Sequence, residues 1–190
     1  MLISPKHKFV FLGIPRTGTT SMYVALRSVA GPGAIYTGKH DMKIPQQYRK
    51  FFTIAFTRNP YSREVSHYLY RHTKPANALY PWVKDWGFAK YIRWSTSREI
   101  PPHDFHDKPV STHLHSVRVD MLLRFEDLPD AFYKIPIVKK TGVSLPNRNA
   151  CLKSKPWQPF YTAAIARRVA EWAAQDFKLY GYGLRSWRRR

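Results

Sequence analysis

The chain has 190 residues, 44% of them hydrophobic, a formal charge of +20 and a sequence pI near 10.3. This balance excludes intrinsic disorder and bounds the chain to one domain with a core of its own, expected over 1–184 and followed by a basic tail over 185–190. No apolar run is long enough to span a membrane, Met1–Lys6 lacks a signal-peptide pattern, and the single Cys151 excludes an intrachain disulfide, so the expected location is cytoplasmic.

In chain order, strands are predicted over 8–14, 34–37, 52–57 and 120–125. Helices are predicted over 18–30, 60–72, 86–96, 127–134 and 159–179. Strands that alternate with helices imply an α/β protein with a central parallel sheet flanked by helices in three layers. The first strand runs into Gly13-Ile14-Pro15-Arg16-Thr17-Gly18-Thr19-Thr20, which has the glycine spacing of a phosphate-binding P-loop. Glycines let successive N–H groups turn toward one anion, and the positive end of the following helix dipole points at the same place. A nucleotide-hydrolysing loop places Lys after its second glycine; here that residue is Thr19, and the positive charge stands at Arg16.

The strand over 52–57 leads to Arg58, then Asn59 and Pro60, a cap and a first-turn residue. Arg63 and Ser66 follow at i,i+3 on the helix, so they share a face. Arg16 and Arg58 at two strand ends predict two anion sites, because the planar guanidinium fork pairs with phosphate oxygens bidentately. After the strand over 34–37, expected beside the first strand, comes Gly38-Lys39-His40-Asp41. His40 is the candidate general base, with Glu64, Glu126, His113 and His115 as secondary candidates. Segment 98–113 reads as a long loop. Its His103, His106 and His113, with His115, Asp104 and Asp107 nearby, do not form a zinc pattern, so no metal is expected. Trp187 among the terminal arginines reads as part of a frayed basic end.

PRTGTTS resembles the 5′-phosphosulfate loop of PAPS-dependent sulfotransferases, where PKTGTTS is the commoner form, and RNPYSREVS resembles their 3′-phosphate motif. Leu122–Leu128, the Leu145-Pro146-Asn147-Arg148-Asn149 segment and Asp176–Tyr182 are similar to later family motifs and come in the same order. The closer match is the carbohydrate and bacterial-type branch. The resemblance implies a P-loop-like fold and transfer of a sulfonate from PAPS, without a metal, to a hydroxyl of a carbohydrate or similar acceptor. It implies cofactor contacts from Arg16, Thr17, Gly18, Thr19, Thr20, Ser21, Arg58 and Ser66, and catalytic roles for Arg16 and His40. The charge adds an acidic glycan to the acceptors considered. Two other readings stand beside this one: a P-loop nucleotide kinase, which the missing loop Lys opposes, and a basic nucleic-acid-binding protein with a degenerate P-loop.

Overall fold

The computed structural model describes residues 1–77, 79–97, 108–146 and 156–188. In chain order the elements are β1 (Leu2–Ser4), β2 (Phe9–Leu12), α1 (Thr19–Val29), β3 (Ile35–Tyr36), β4 (Phe52–Thr57), α2 (Pro60–Thr73), α3 (Tyr80–Val83), α4 (Phe88–Ser95), α5 (Val110–Leu114), β5 (Met121–Arg124), α6 (Asp130–Tyr133), α7 (Pro136–Thr141), α8 (Ala163–Trp172) and α9 (Ala174–Tyr180). They gather into two compact units, one of residues 1–58 and 112–149, the other of 59–111 and 150–190.

The first unit holds a five-stranded sheet in the order β3-β1-β2-β4-β5. The expected parallel core is present: β2 pairs with β4 and β4 with β5, all parallel, with Leu12 opposite Ala55 and Thr57 opposite Arg124. Phe9 and Phe11 of β2 and Ile54 and Phe56 of β4 pack with Met22, Ala25 and Leu26 of α1 and with Phe132, Ile135 and Val138 around α6 and α7. Val10, Leu12 and Ala55, pointing the other way along the same strands, are also fully buried. Burial on both faces explains why the strands read as continuous apolar runs without alternation.

Two sequence expectations change here. Residues 2–4 form β1, which the sequence reading passed over because three residues carry no periodicity. β1 lies antiparallel between β2 and β3, so the strand at Ile35–Tyr36 pairs with β1 and not with the first predicted strand. The helix predicted over 127–134 is a 3₁₀ turn over Phe125–Asp127 followed by α6, separated at Pro129, which has no N–H to continue a helical ladder.

The second unit is helical with an aromatic core. Tyr61, Tyr68, Phe88, Tyr91, Trp94, Tyr161 and Phe177 are buried together. The Tyr161 hydroxyl donates to the Tyr61 carbonyl at 2.8 Å, and the Tyr61 hydroxyl to the Leu184 carbonyl at 2.8 Å. A buried phenol needs such a partner. Asp176 accepts the Val110 and Ser111 amides at 2.7 Å each, capping the start of α5 within this unit. The predicted helix over 159–179 is divided at Ala173 into α8 and α9. The loop predicted over 98–113 gives way to α5 at Val110; residues 98–107, with His103, Asp104, His106 and Asp107, lie outside the described residues, as do 147–155. Trp187 is not frayed. It packs against the aromatic core, and the neighbouring Ser186 hydroxyl accepts from Asn59 Nδ2 at 2.9 Å, because burying an indole outweighs ordering a few terminal residues.

Candidate active site

β2, β4 and β5 are parallel, so their carboxyl ends share one edge of the sheet. β3 is antiparallel to β1, and β1 to β2, so β3 ends at that edge as well. Four segments of the first unit therefore meet where ligands of open α/β sheets bind: the loop after Leu12, the turn after Tyr36, Arg58 and Phe125.

The loop is braced by its own side chains. The Thr17 and Thr19 hydroxyls both donate to the Ile14 carbonyl, at 2.9 and 2.5 Å, and both residues are buried. What these threonines offer an anion is their backbone amide. The first intrahelical bond of α1 runs from Met22 N to the Gly18 carbonyl at 3.2 Å, so the amides of Thr19, Thr20 and Ser21 form the first turn, where no helical acceptor exists. Together with the dipole of an 11-residue helix they make an end suited to hold an anion. Gly18 caps that helix at φ 82°, in the left-handed region that glycine enters without strain, and a Cβ there would stand 3.2 Å from the Phe125 ring. Arg16 occupies φ 66°, a conformation uncommon for a residue with a side chain. Arg58 accounts for how it is held: its Nη1 donates to the Arg16 carbonyl at 3.0 Å, and its guanidinium lies 4.2 Å from the centre of the Phe125 ring.

His40 reaches the same loop. Its Nδ1 is 2.5 Å from the Gly13 carbonyl. A carbonyl only accepts, so Nδ1 carries the proton and the basic lone pair of the neutral ring is on Nε2. Lys39 is a site residue that the sequence reading passed over. Its Nζ donates to Thr20 Oγ1 at 2.5 Å, at the first turn of α1. Burial, and after it the neighbouring Arg16 charge, holds the Lys39 ammonium below its ordinary pKa. The Lys39 carbonyl in turn accepts from the Tyr23 hydroxyl at 3.1 Å. Two cations thus stand at the loop, Arg16 from inside it and Lys39 from the turn after β3. The signal for Lys39 was its place beside His40, and that for Phe125 its place in the Leu122–Leu128 motif.

Gly13 carries a consequence for stability. A Cβ on it would lie 2.5 Å from the Lys39 carbonyl oxygen, 2.5 Å from Thr19 Cγ2 and 2.9 Å from the Tyr23 ring. Gly13→Ala is expected to cost about 1–3 kcal/mol through overpacking, lowering Tm by about 2–12 °C. Gly38→Ala, whose Cβ would meet nothing nearer than 3.8 Å, is the control and is expected to stay within about 0.5 kcal/mol of wild type. Thermal unfolding of the two variants checks this; equal Tm values would show that the close approach at Gly13 is relieved at no cost.

Ser66 lies in the second unit, on α2, 3% exposed, alongside Arg63, Glu64 and His67, all buried. Asn59 caps α2 as expected, accepting from the Tyr61 amide at 3.0 Å with Pro60 at the first position. Arg63 Nη1 is 3.8 Å from Glu64 Oε1, and the Ser95 hydroxyl donates to Glu64 Oε2 at 3.5 Å. Burial first, then the Glu64 charge and the Tyr61 and Tyr91 hydroxyls, hold the Tyr161 phenol well above its ordinary pKa. Glu64, with no exposed surface, serves an internal charge network of this unit.

Residues 1–183 match the sulfotransferase family. The chain belongs to the sulfotransferase family. No curated protein and no solved structure matches it. Membership establishes the P-loop-like α/β fold and sulfonyl transfer as the class of reaction, which makes this chain a transferase. Among the described residues no helix of this sulfotransferase is long and apolar enough to cross a membrane.

Proposed function

We propose that this sulfotransferase takes the sulfonate of PAPS and transfers it to a hydroxyl of a carbohydrate or similar small acceptor. The observation that carries the reading is the braced loop at the start of α1, with the cations Arg16 and Lys39 beside its first-turn amides and a histidine with its basic nitrogen on Nε2 standing on the loop's own backbone. PAPS would lay its 5′-phosphosulfate on the amides of Thr17–Ser21, and Arg58 would take its 3′-phosphate. In the transfer, the acceptor oxygen forms a bond to sulfur as the bond from sulfur to the phosphate oxygen breaks. The electron pair leaves with the 3′,5′-bisphosphate product, PAP, where Arg16 and Lys39 offset its charge. The acceptor proton passes to His40 Nε2. Sulfotransferases generally use PAPS as donor, and every group this scheme calls on is a side chain or amide of the chain itself.

Arg58 gives the test of the donor. Because it also holds the Arg16 carbonyl, its loss would loosen the loop whatever ligand is bound. Calorimetry with PAP and with AMP separates the two roles. Wild type is expected to prefer PAP. Arg58→Ala is expected to weaken PAP by about 1.5–3 kcal/mol more than AMP, the worth of a hydrogen bond to a charged group, or roughly tenfold or more. Equal affinity for the two nucleotides in wild type would sink the assignment of PAPS. An equal loss for both in the variant would reduce Arg58 to a brace for the loop.

A further inference from the structure

Lys39 brings an amine to the anion loop. Its Nζ donates to Thr20 Oγ1 at 2.5 Å, beside the first-turn amides of α1, and the residue keeps an exposed face. Lys39, Arg16 and the loop all belong to the first unit. The turn under the amine is tied down on both sides: the Asp41 amide donates to the Gly38 carbonyl at 2.9 Å, and the Lys39 carbonyl accepts from Tyr23. The amine is therefore held at one place on the loop, unlike a lysine that sweeps through solvent from a surface helix. Partial burial, and after it the Arg16 charge, lowers the pKa of this ammonium. That enlarges the fraction present as the neutral, nucleophilic amine. The cationic role of Lys39 in sulfonate transfer gains nothing from such a shift; nucleophilic chemistry does.

A phosphosulfate is a mixed anhydride in which a bridging oxygen joins phosphorus to an electrophilic sulfur. An acyl phosphate has the same outline, with a bridging oxygen between phosphorus and an electrophilic carbonyl carbon. Its phosphate suits the same amides and the same Arg16 guanidinium. We propose that Lys39 is a self-acylation site for acyl phosphates held at the anion loop, and that its acylation weakens the donor site. The proposal rests on the reading of this loop as the phosphosulfate site in the preceding subsection. The neutral Lys39 amine attacks the acyl carbon. A C–N bond forms as the bond from carbon to the phosphate oxygen breaks, and the electron pair leaves with the phosphate, which takes up the amine proton. Arg16 and the loop amides stabilise the departing phosphate. The amide that results carries no charge, so the loop loses one of its two cations.

The experiment treats the full chain with acetyl phosphate and follows acetylation of each lysine by peptide mass spectrometry, with and without PAP. Acetylation of Lys39 is expected to saturate with acetyl phosphate. It is expected to run at least about tenfold faster than that of Lys139 and Lys140, exposed on α7, a small part of what holding two reactants together can give. PAP is expected to protect Lys39 and to leave the α7 lysines as reactive as before. N-hydroxysuccinimidyl acetate carries no phosphate and separates guidance by the loop from plain amine reactivity; its preference for Lys39 is expected to be weaker. After acetyl phosphate treatment, wild type is expected to bind PAP about tenfold or more weakly, the size of a lost charge-assisted contact. Lys39→Arg keeps the charge without an acylatable amine, and the same treatment is expected to change its own PAP affinity less than about twofold. Lys39 acetylated no faster than Lys139 and Lys140, a rate that never saturates, or an equal preference from the ester would each overturn the proposal. So would unchanged PAP affinity in protein acetylated at Lys39. Saturable acetylation of Lys39 that inorganic phosphate blocks, in a protein that fails to bind PAP, would keep the acylation site and overturn the donor assignment. PAP binding without preference for Lys39 would overturn the acylation site alone.

Discussion

Replacing His40 by alanine is expected to cut turnover by about 10²–10⁴-fold, the usual contribution of a general base, with little change in PAP affinity. The tertiary structure supplies the reason for the split. His40 is tied through Nδ1 to the Gly13 carbonyl, which leaves Nε2 as the basic atom. In the proposed transfer its proton acceptor would act on the incoming hydroxyl and not on the nucleotide, so its removal would act on the transition state and spare ground-state binding of the donor. Wild-type activity should fall on the acid side, because a protonated imidazole has no lone pair for the acceptor proton. That limb should vanish in the variant. Turnover, PAP affinity and the pH profile measured on one preparation check the assignment. Near-normal turnover would move the base to one of the secondary candidates, such as His113. A collapse of PAP binding would make His40 a brace of the loop through Gly13.

Arg16→Ala is expected to lower turnover by about 10²–10³-fold, the range seen when a group that stabilises developing negative charge is removed, and to weaken PAPS binding less than it slows the reaction. The charge on the leaving phosphate oxygen grows from bound PAPS to the transition state, so a cation placed there acts more strongly on the transition state than on the bound donor. Arg16→Lys should recover much of the activity, since an ammonium can supply the charge, though not the planar fork. Lys39 sharpens the test. Its ammonium is held down by burial and, secondarily, by Arg16, so Arg16→Ala should raise its pKa toward the ordinary range while Arg16→Lys should not. Single-turnover rates of the three proteins, alongside PAP titrations, decide the matter. Wild-type turnover in Arg16→Ala would show that Lys39 and the amides carry the leaving group alone.

The site was legible in the sequence where one short segment carries both the element and the chemistry. Gly13 to Thr20 is such a segment: glycine spacing, strand before and helix after announce an anion-binding turn, and the structure shows Gly13 and Gly18 at positions where a Cβ would meet a carbonyl oxygen or an aromatic ring. Asn59-Pro60 announced the start of α2 for the same local reason. Lys39 was legible only as a neighbour of His40, because a lysine in a turn is ordinarily solvated and only the return of that turn to α1 places Nζ on Thr20. Nor was it legible that the Thr17 and Thr19 hydroxyls close on the Ile14 carbonyl.

What the sequence determined by itself was the class of fold, the order of most strands and helices, and the strand–loop–helix turn at Gly13–Thr20, because strand runs, helix periodicity and glycine punctuation depend on near neighbours. The tertiary structure decided the rest. The three residues of β1 became a strand only by pairing with β2 on one side and β3 on the other, and Trp187 was drawn from a basic terminus onto an aromatic core. The alignment of strand ends brought Arg58 onto the Arg16 carbonyl and His40 onto Gly13. Such pairings join residues tens of positions apart, and their free energy comes from burial and hydrogen bonding that no local stretch of chain contains.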